Sequence, residues 1–262
     1  MTDHASLRSI KRAVRRWAYA CGFVIETKRG LPTLSLALSE RLRALALAER
    51  LREIFTVYAI DRVIDVGANE GQFAEFLRND VGFTGKIESF EPIPALAQAL
   101  MAKAAADRHW TVHQRALGAK PGKGTFNVMK GSVFSSFRKP APLTDDRYHE
   151  WNSVSDTIDV TVSTLDAEFF DKTDLRHTYL KLDSQGFDLE VLKGGKKSIM
   201  EIPAVQTEVS FQPLYDKMPG YKQSIAAFGR YGFVIADFFL VARDSKHAAM
   251  EFDALMIRPP VE

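Results

Sequence analysis

With a single cysteine, Cys21, the chain can build neither a disulfide framework nor a cysteine-based metal site. It has no apolar run near the roughly 18–20 residues needed to span a bilayer. Basic residues mark the N-terminus, but no apolar core and small-residue cleavage site follow them. No secretory leader is therefore expected, and a reducing cytoplasm is the default compartment. No spacing of His, Asp and Glu resembles a zinc site. Internal repeats and low-complexity segments are absent as well. What remains is ordinary globular composition, 46% apolar and 26% charged, in a length of 262 residues that suits one decorated α/β domain.

A third glycine is also missing, and its absence is informative. Val63-Ile64-Asp65-Val66-Gly67-Ala68-Asn69-Glu70-Gly71-Gln72-Phe73 reads as strand, tight turn and helix, the opening unit of a nucleotide-binding α/β sheet. Gly67 and Gly71 do not make the Gly-x-Gly-x-x-Gly of dinucleotide enzymes. A pyrophosphate favours a turn rich in free N–H groups. Here Asp65 precedes the turn, and a carboxylate suits a ligand with positive charge, such as the sulfonium and amino groups of S-adenosylmethionine (SAM). Glu91, twenty positions after Gly71 in Phe90-Glu91-Pro92, falls where an acidic strand tip holds a ribose diol. Alone, each piece reads as a turn or a loop; in order and at this spacing they point to SAM.

The net charge of +2 is unevenly spread. Residues 1–60 carry eleven Lys/Arg against five acids, a balance of +6, so the remainder sums to −4. Leu7, Ile10, Val14 and Trp17 recur at helical spacing among Arg8, Lys11, Arg12, Arg15 and Arg16. Such a basic amphipathic helix either packs on the protein or on a partner subunit of a homo-oligomer, or lies peripherally on the inner face of an anionic membrane. No nucleic-acid motif accompanies it, and no nucleic-acid partner is expected.

Residues 1–57 are read as a basic helical extension and 58–262 as the catalytic domain. Alternating patterns place strands at 62–66, 86–90, 111–114, 179–183, 204–210, 233–242 and 252–258, and helices at 71–79, 93–106, 189–200 and 222–231. This predicts a mostly parallel, doubly wound sheet of seven strands. The last two strands have no room for a helix between them and should form an antiparallel hairpin. An excursion over 120–177, too long for a simple crossover, is the expected substrate cover; it contains strands near 125–128 and 157–162 and the serines 132, 135 and 136.

The fourth strand ends Leu180-Lys181-Leu182-Asp183, leaving Asp183 at the carboxyl end where ligands and catalytic groups gather. In the fifth strand Glu208 stands among apolar neighbours and needs a partner or a purpose. Two such carboxylates could divide general-base work or ligate a hard cation such as Mg²⁺. The structural alternatives are an Asp183 that caps the helix near Phe187 and a Glu208 paired with Lys181. His113, His149 and His177 are weaker candidates. Trp151, Phe211, Tyr215 and Tyr221 either pack in the core or stack on a sugar face.

Val63–Phe73, Phe90-Glu91-Pro92, His113 to Gly118, Ser135-Ser136, Val162–Asp166 and Leu180–Gly195 occur in order. Together they resemble the FkbM family of SAM-dependent methyltransferases over about residues 58–258. The resemblance implies a Rossmann-like class I methyltransferase fold and O-methylation of hydroxyls on sugars of a glycolipid, polysaccharide or glycosylated natural product. A non-sugar acceptor, or a SAM-binding module without turnover, is the alternative. By resemblance, Asp65, Gly67, Ala68, Asn69, Gly71 and Phe73 line the methionine end of SAM. Glu91 with Pro92 holds the ribose, Arg115, Ala116 and Leu117 lie near the adenine, and Asp183 borders the same site. Many members carry Glu where Gln185 stands, so the base here is sought among Asp183, Asp188 and Glu208.

Overall fold

The computed structural model describes residues 32–142 and 150–259. The amphipathic helix expected within residues 1–20, and His149, lie outside the described residues. Two compact units divide the chain, Met1–Leu47 and Ala48–Glu262. The division falls inside helix α1 (Pro32–Val57), so the last turns of the expected 1–57 extension belong to the larger unit.

A seven-stranded sheet organises that unit, with β1 (Arg62–Val66), β2 (Lys86–Phe90) and β3 (Trp110–His113) on one side. On the other side stand β7 (Thr178–Leu182), β8 (Ala204–Ser210), β10 (Ala249–Ile257) and the edge strand β9 (Val234–Arg243). The order is β3-β2-β1-β7-β8-β10-β9. All pairs from β3 to β8 are parallel, and β10 runs antiparallel to both β8 and β9, as the short polar connection requires. The chain winds outward in opposite directions from β1 and β7, and a crevice opens where their carboxyl ends diverge.

Strand alternation gives the two faces of this sheet different chemistry. Ile64, Val66, Leu180, Leu182, Val205, Val209, Ala254 and Met256 point to one side and form a continuous core. That core includes Val191 and Leu192 of α5 (Asp188–Gly194) and Phe228 of α7 (Tyr221–Gly229). The opposite face is polar toward its carboxyl end. Asp65 pairs in register with Lys181, and Lys181 with Gln206. Two residues further along β8, Glu208 pairs with Asp253 of β10. Below this polar row, Tyr179 packs edge-on against Phe55 of α1 at 5.1 Å and donates its hydroxyl to Gln206 at 3.1 Å.

Two expected helices are broken. The stretch 189–200 divides into α5 and α6 (Ser198–Glu201). A Cβ at Gly194 would stand 2.0 Å from the Gly118 carbonyl oxygen, and one at Gly195 2.7 Å from the Leu165 side chain, so the glycine pair admits an approach that side chains there would block. Helix 71–79 is α2 (Gln72–Phe76) followed by a π turn over Leu77–Val81. Helix 93–106 is shorter, α3 (Pro94–Ala104), with proline at its first turn.

The excursion between β3 and β7 builds a sheet of its own. β5 (Gly122–Met129) and β6 (Val154–Ser163) pair antiparallel, and β4 (Ala116–Leu117) joins β6 in parallel. Its return begins with α4 (Leu165–Phe169), capped by the Thr164 hydroxyl accepting from the Ala167 N–H at 3.1 Å.

Arg258 closes the far end of the sheet. Its guanidinium donates to the carbonyls of Ile199, Met200, Ile202 and Tyr231 at 2.6–3.2 Å and lies 4.7 Å from the Phe233 ring centroid. These are carbonyls that the short helix α6 and the turn after α7 leave without partners. Arg258→Met should therefore lower the unfolding free energy by about 2–4 kcal/mol, read by urea denaturation. A loss below about 0.5 kcal/mol would show that water replaces the guanidinium at these carbonyls.

Candidate functional site

The turn after β1 is built on a backbone contact. Gly67 has φ +85, and a Cβ there would lie 1.9 Å from the Asp183 carbonyl oxygen. Only glycine lets the β1 turn meet the end of β7 this closely. Gly67 and Ala68 both donate their N–H to the Phe90 carbonyl at 3.0 Å, tying the turn to β2 as well. Gly71, φ +89, faces Leu100 and Trp110, so its role is to seat α2 against α3 and β3.

Glu91 joins two loops. Its Oε2 accepts from the Asn69 N–H at 2.9 Å and its Oε1 from the Ile93 N–H at 2.8 Å. Asn69 is left-handed, φ 48, and its Oδ1 accepts from the Glu70 N–H and from the Ser132 hydroxyl. Burial pushes the Glu91 carboxyl up to about 7, against the two backbone hydrogen bonds that favour its ionised form. Pro92 follows and starts the turn into α3.

On the polar face of the sheet, Lys181 lies between two carboxylates, with Nζ 3.2 Å from Asp65 Oδ1 and 3.2 Å from Asp183 Oδ2. The ammonium also stands 5.1 Å from the centroid of the buried Phe73 ring. Desolvation pulls its pKa down, but the two carboxylates together outweigh that, and it is raised overall. Burial raises Asp65, with Lys181 opposing. Lys181 therefore pairs with Asp65 and Asp183, not with Glu208. Asp65 Oδ2 remains buried without a hydrogen-bond partner. The nearby Ser89 hydroxyl helps hold the Asp65 pKa down and accepts from Trp110 Nε1 at 3.0 Å, but makes no hydrogen bond of ordinary geometry to Oδ2.

From Asp183 the network continues to Glu208 through an amide. Gln185 Nε2 donates to Asp183 Oδ1 at 2.9 Å and to Glu208 Oε2 at 3.2 Å, and its Oε1 accepts from the Tyr215 hydroxyl at 2.8 Å. Burial, and then the charges of Glu251 and Asp183, hold the Glu208 carboxyl well above its ordinary pKa. Glu251, hydrogen-bonded by the Ser210 hydroxyl at 2.9 Å, is pushed up to about 7, again chiefly by burial. Asp188 has a structural post. It accepts from the Ser184 N–H at 2.9 Å, from the Ser184 hydroxyl and from the Thr207 hydroxyl at 2.8 Å. It, not Asp183, secures the loop before α5. The Asp183 side chain is 37% exposed at the crevice.

The other expected residues are placed differently. Ala116 and Leu117 are buried in β4, and Arg115 pairs with Glu168 at 3.1 Å. His113 stacks on Phe90 and bonds Glu88 at 2.7 Å; His177 reaches the Tyr58 carbonyl. Tyr215 is buried, while Phe211 is exposed and stacked on Tyr221 at 4.0 Å, and Trp151 is 56% exposed. Among the described residues no three His, Cys, Asp or Glu side chains converge as a metal-ligand set.

Lys181, Gln185 and Tyr215 as a linked system escape a motif-based reading. One signal was available: a lysine inside the otherwise apolar strand Thr178–Leu182, in the register of Asp65, has to be paired. Ser136 and Arg138 of the excursion also belong to the site. They donate to the carbonyls of Gln185 at 2.8 Å and Gly186 at 2.7 Å, so the small sheet fixes the loop after β7.

The side-chain groups gathered beside the β1 turn, Asp65, Glu91 and Asn69 Oδ1, are acceptors. That chemistry fits a ligand rich in donors and positive charge, and it does not fit a phosphate.

The family described as methyltransferase FkbM domain matches residues 65–235, well over half of the chain. No curated protein shows significant similarity. Among solved structures, magnesium protoporphyrin IX methyltransferase from Synechocystis with bound SAM is 10% identical, with a TM-score of 0.44, over 95% of this chain and 97% of that one. Fibrillarin from Aeropyrum pernix with natively bound SAM is 12% identical, TM-score 0.41, over 75% of this chain and 66% of that one. A SAM-dependent methyltransferase from Aquifex aeolicus is 12% identical, TM-score 0.35, over 82% and 98%. These are distant likenesses. The class I methyltransferase fold is read from the strand order and the antiparallel final hairpin themselves, together with the family match.

Both Glu91 and Glu251 have folded-state pKa values above their ordinary 4.5. Between about 4.5 and 7 the native protein binds more protons than the unfolded chain, so stability falls as pH rises through that window. Each carboxyl contributes at most about 3 kcal/mol of this fall. Glu91→Gln and Glu251→Gln should each flatten the slope of unfolding free energy between pH 5 and 7, measured by urea denaturation at several pH values. Slopes identical to the parent's would show that neither carboxyl titrates in this window.

Proposed function

Because the chain belongs to the FkbM methyltransferase family, we propose that it transfers the methyl group of SAM to a hydroxyl of a sugar in a glycolipid, polysaccharide or glycosylated natural product. The acceptor-only character of the β1 turn carries the cofactor half of this reading. Asp65 Oδ2 is an orphaned acceptor for a cationic or N–H group. Each Glu91 oxygen takes one backbone N–H and keeps a lone pair for a ribose hydroxyl. When bound, SAM supplies an electrophilic methyl on a positively charged sulfur.

The reaction is a single in-line displacement, so the protein has to align the acceptor oxygen and remove a proton from a poorly acidic alcohol. Asp183 is the base in this reading. It lies at the crevice, and Lys181 and Gln185 hold its two oxygens in place. Glu208, whose carboxyl burial holds well above its ordinary pKa, favours its neutral form and orients the acceptor. The two carboxylates thus take opposite roles through their environments.

Calorimetry with SAM and S-adenosylhomocysteine, followed by a screen of cell-envelope glycolipids with methyl-labelled SAM, tests both halves. Micromolar or tighter binding and label appearing in a glycolipid are expected, with Asp183→Asn lowering turnover by about 10²-fold or more. EDTA should leave the rate unchanged if the carboxylate acts without a cation; inhibition reversed by Mg²⁺ would assign Asp183 to a metal instead. Absence of SAM binding would overturn the cofactor assignment. SAM binding with label found only in non-carbohydrate products would overturn the acceptor assignment.

A further inference from the structure

Gln185 adopts a left-handed backbone, φ 51, which a non-glycine residue keeps only when its surroundings hold it there. The surroundings are specific. Its own carbonyl oxygen accepts from the Ser136 hydroxyl, and the next carbonyl, of Gly186, accepts from Arg138 Nε. Arg138 in turn donates to the Lys217 carbonyl at 2.8 Å, so the loops after β7 and β8 are clamped by one side chain. The result is an amide delivered between two carboxylates from different strands.

The orientation of that amide follows from its partners. The Tyr215 hydroxyl has one hydrogen and lies 2.8 Å from both Gln185 Oε1 and the Phe134 carbonyl, so it does not set the amide. The Asp183 carboxylate, which as the base only accepts, does so by requiring Nε2 on its side, with Glu208 Oε2 accepting there as well. Reversing the amide would set its carbonyl oxygen against Asp183 Oδ1 with no hydrogen between them. Both amide hydrogens are therefore committed, one to Asp183 and one to Glu208.

We propose that Gln185 is a positioning residue for methyl transfer: by donating one amide hydrogen to each of Asp183 and Glu208 it fixes their separation and supports Asp183 as the carboxylate. This rests on the base assignment to Asp183. Lys181 anchors the other Asp183 oxygen, so the carboxylate is held at both ends and cannot rotate without losing a bond. The amide has the same shape as a glutamate side chain but adds no negative charge to an already acidic cluster.

The charged and titratable groups around Asp183 are Lys181 on its own strand, Asp188 in α5, Asp65 on β1, Glu208 on β8, Glu251 on β10 and Tyr215 in the loop after β8. Loss of the amide donor removes a bond to the ionised form, which raises a carboxyl pKa. The test is the Asp183 titration, followed by ¹³C NMR with labelled aspartate and assigned with Asp183→Asn. Gln185→Ala should raise its midpoint by about one pH unit, and Gln185→Glu, which keeps the shape but adds a charge, by at least as much. Circular dichroism establishes that the variants fold; should Gln185→Ala not, Gln185→Glu decides alone. A midpoint unmoved in the folded variants overturns the proposal. Calorimetry on the same samples keeps the outcomes apart. Native protein that binds no SAM refutes the proposed function, while the NMR result still decides what Gln185 does to Asp183. SAM affinity unchanged in the variants, with the midpoint moved, supports a role confined to the base.

Discussion

One buried ammonium holds the site together. Lys181 lies between Asp65 on the neighbouring strand and Asp183 beyond the end of its own. Burying Lys181 and Asp65 this way is expensive, and the arrangement is stable only as a set: removing one partner of such a buried pair costs about 3–5 kcal/mol, because the remaining charge stays buried and uncompensated. The arrangement depends on strand register. Shifting β7 by one residue against β1 would send Lys181 into the apolar core and bring Leu182 to Asp65. The approach of Gly67 to the Asp183 carbonyl fixes that register, since any side chain at this glycine would push the strand ends apart.

The rest of the site is fitted to that pair by a second sheet. β5 and its following turn supply Ser136 and Arg138, which grip the loop after β7 at two carbonyls in succession. Ser132 of the same turn reaches Asn69 in the β1 turn, at 3.3 Å. The excursion therefore contacts the β1 turn through Asn69 and the loop after β7 through Gln185. A rigid support of this kind is what alignment of a displacement reaction needs, since misplacement of a reacting group by about 1 Å is sufficient to lose much of the rate.

The strand framework was legible in the sequence because it depends on period. β1, β2 and β8 run as the alternation and the apolar runs indicate, and the hairpin of β9 and β10 follows from a connection too short for a helix. The breaks at Gly194-Gly195 and at the π turn after Phe76 were not legible. The first coincides with close approaches to Gly118 and Leu165, distant in sequence, that no local pattern records. The site divides in the same way. Asp65, Glu91 and Asp183 stand at strand ends, where topology alone predicts function. Gln185, Tyr215, Ser136 and Arg138 reach the site through loops, and sequence separation hides their mutual contacts. Asp188 and Asp183 show the limit most directly, for an Asp near a helix start reads as a cap in either position. Only the hydrogen bonds to Ser184 and Thr207 assign that post to Asp188.

Charge balance links the polar face to the proposed chemistry. In the proposed reading Asp65 and Asp183, ionised around one Lys181, sum to a net charge of −1, one positive charge short of neutrality. A sulfonium in the adjacent crevice would compensate it. In the proposed transfer Asp183 would take the acceptor's proton as the methyl left sulfur, so the carboxylate and the sulfonium would lose their charges in the same event. The site is then neutral before and after, and no net charge has to cross a low-dielectric interior. A second ionised carboxylate at Glu208 would disturb this balance. Burial and the facing acids of β10, which raise the Glu208 pKa, favour its neutral form and so support that balance.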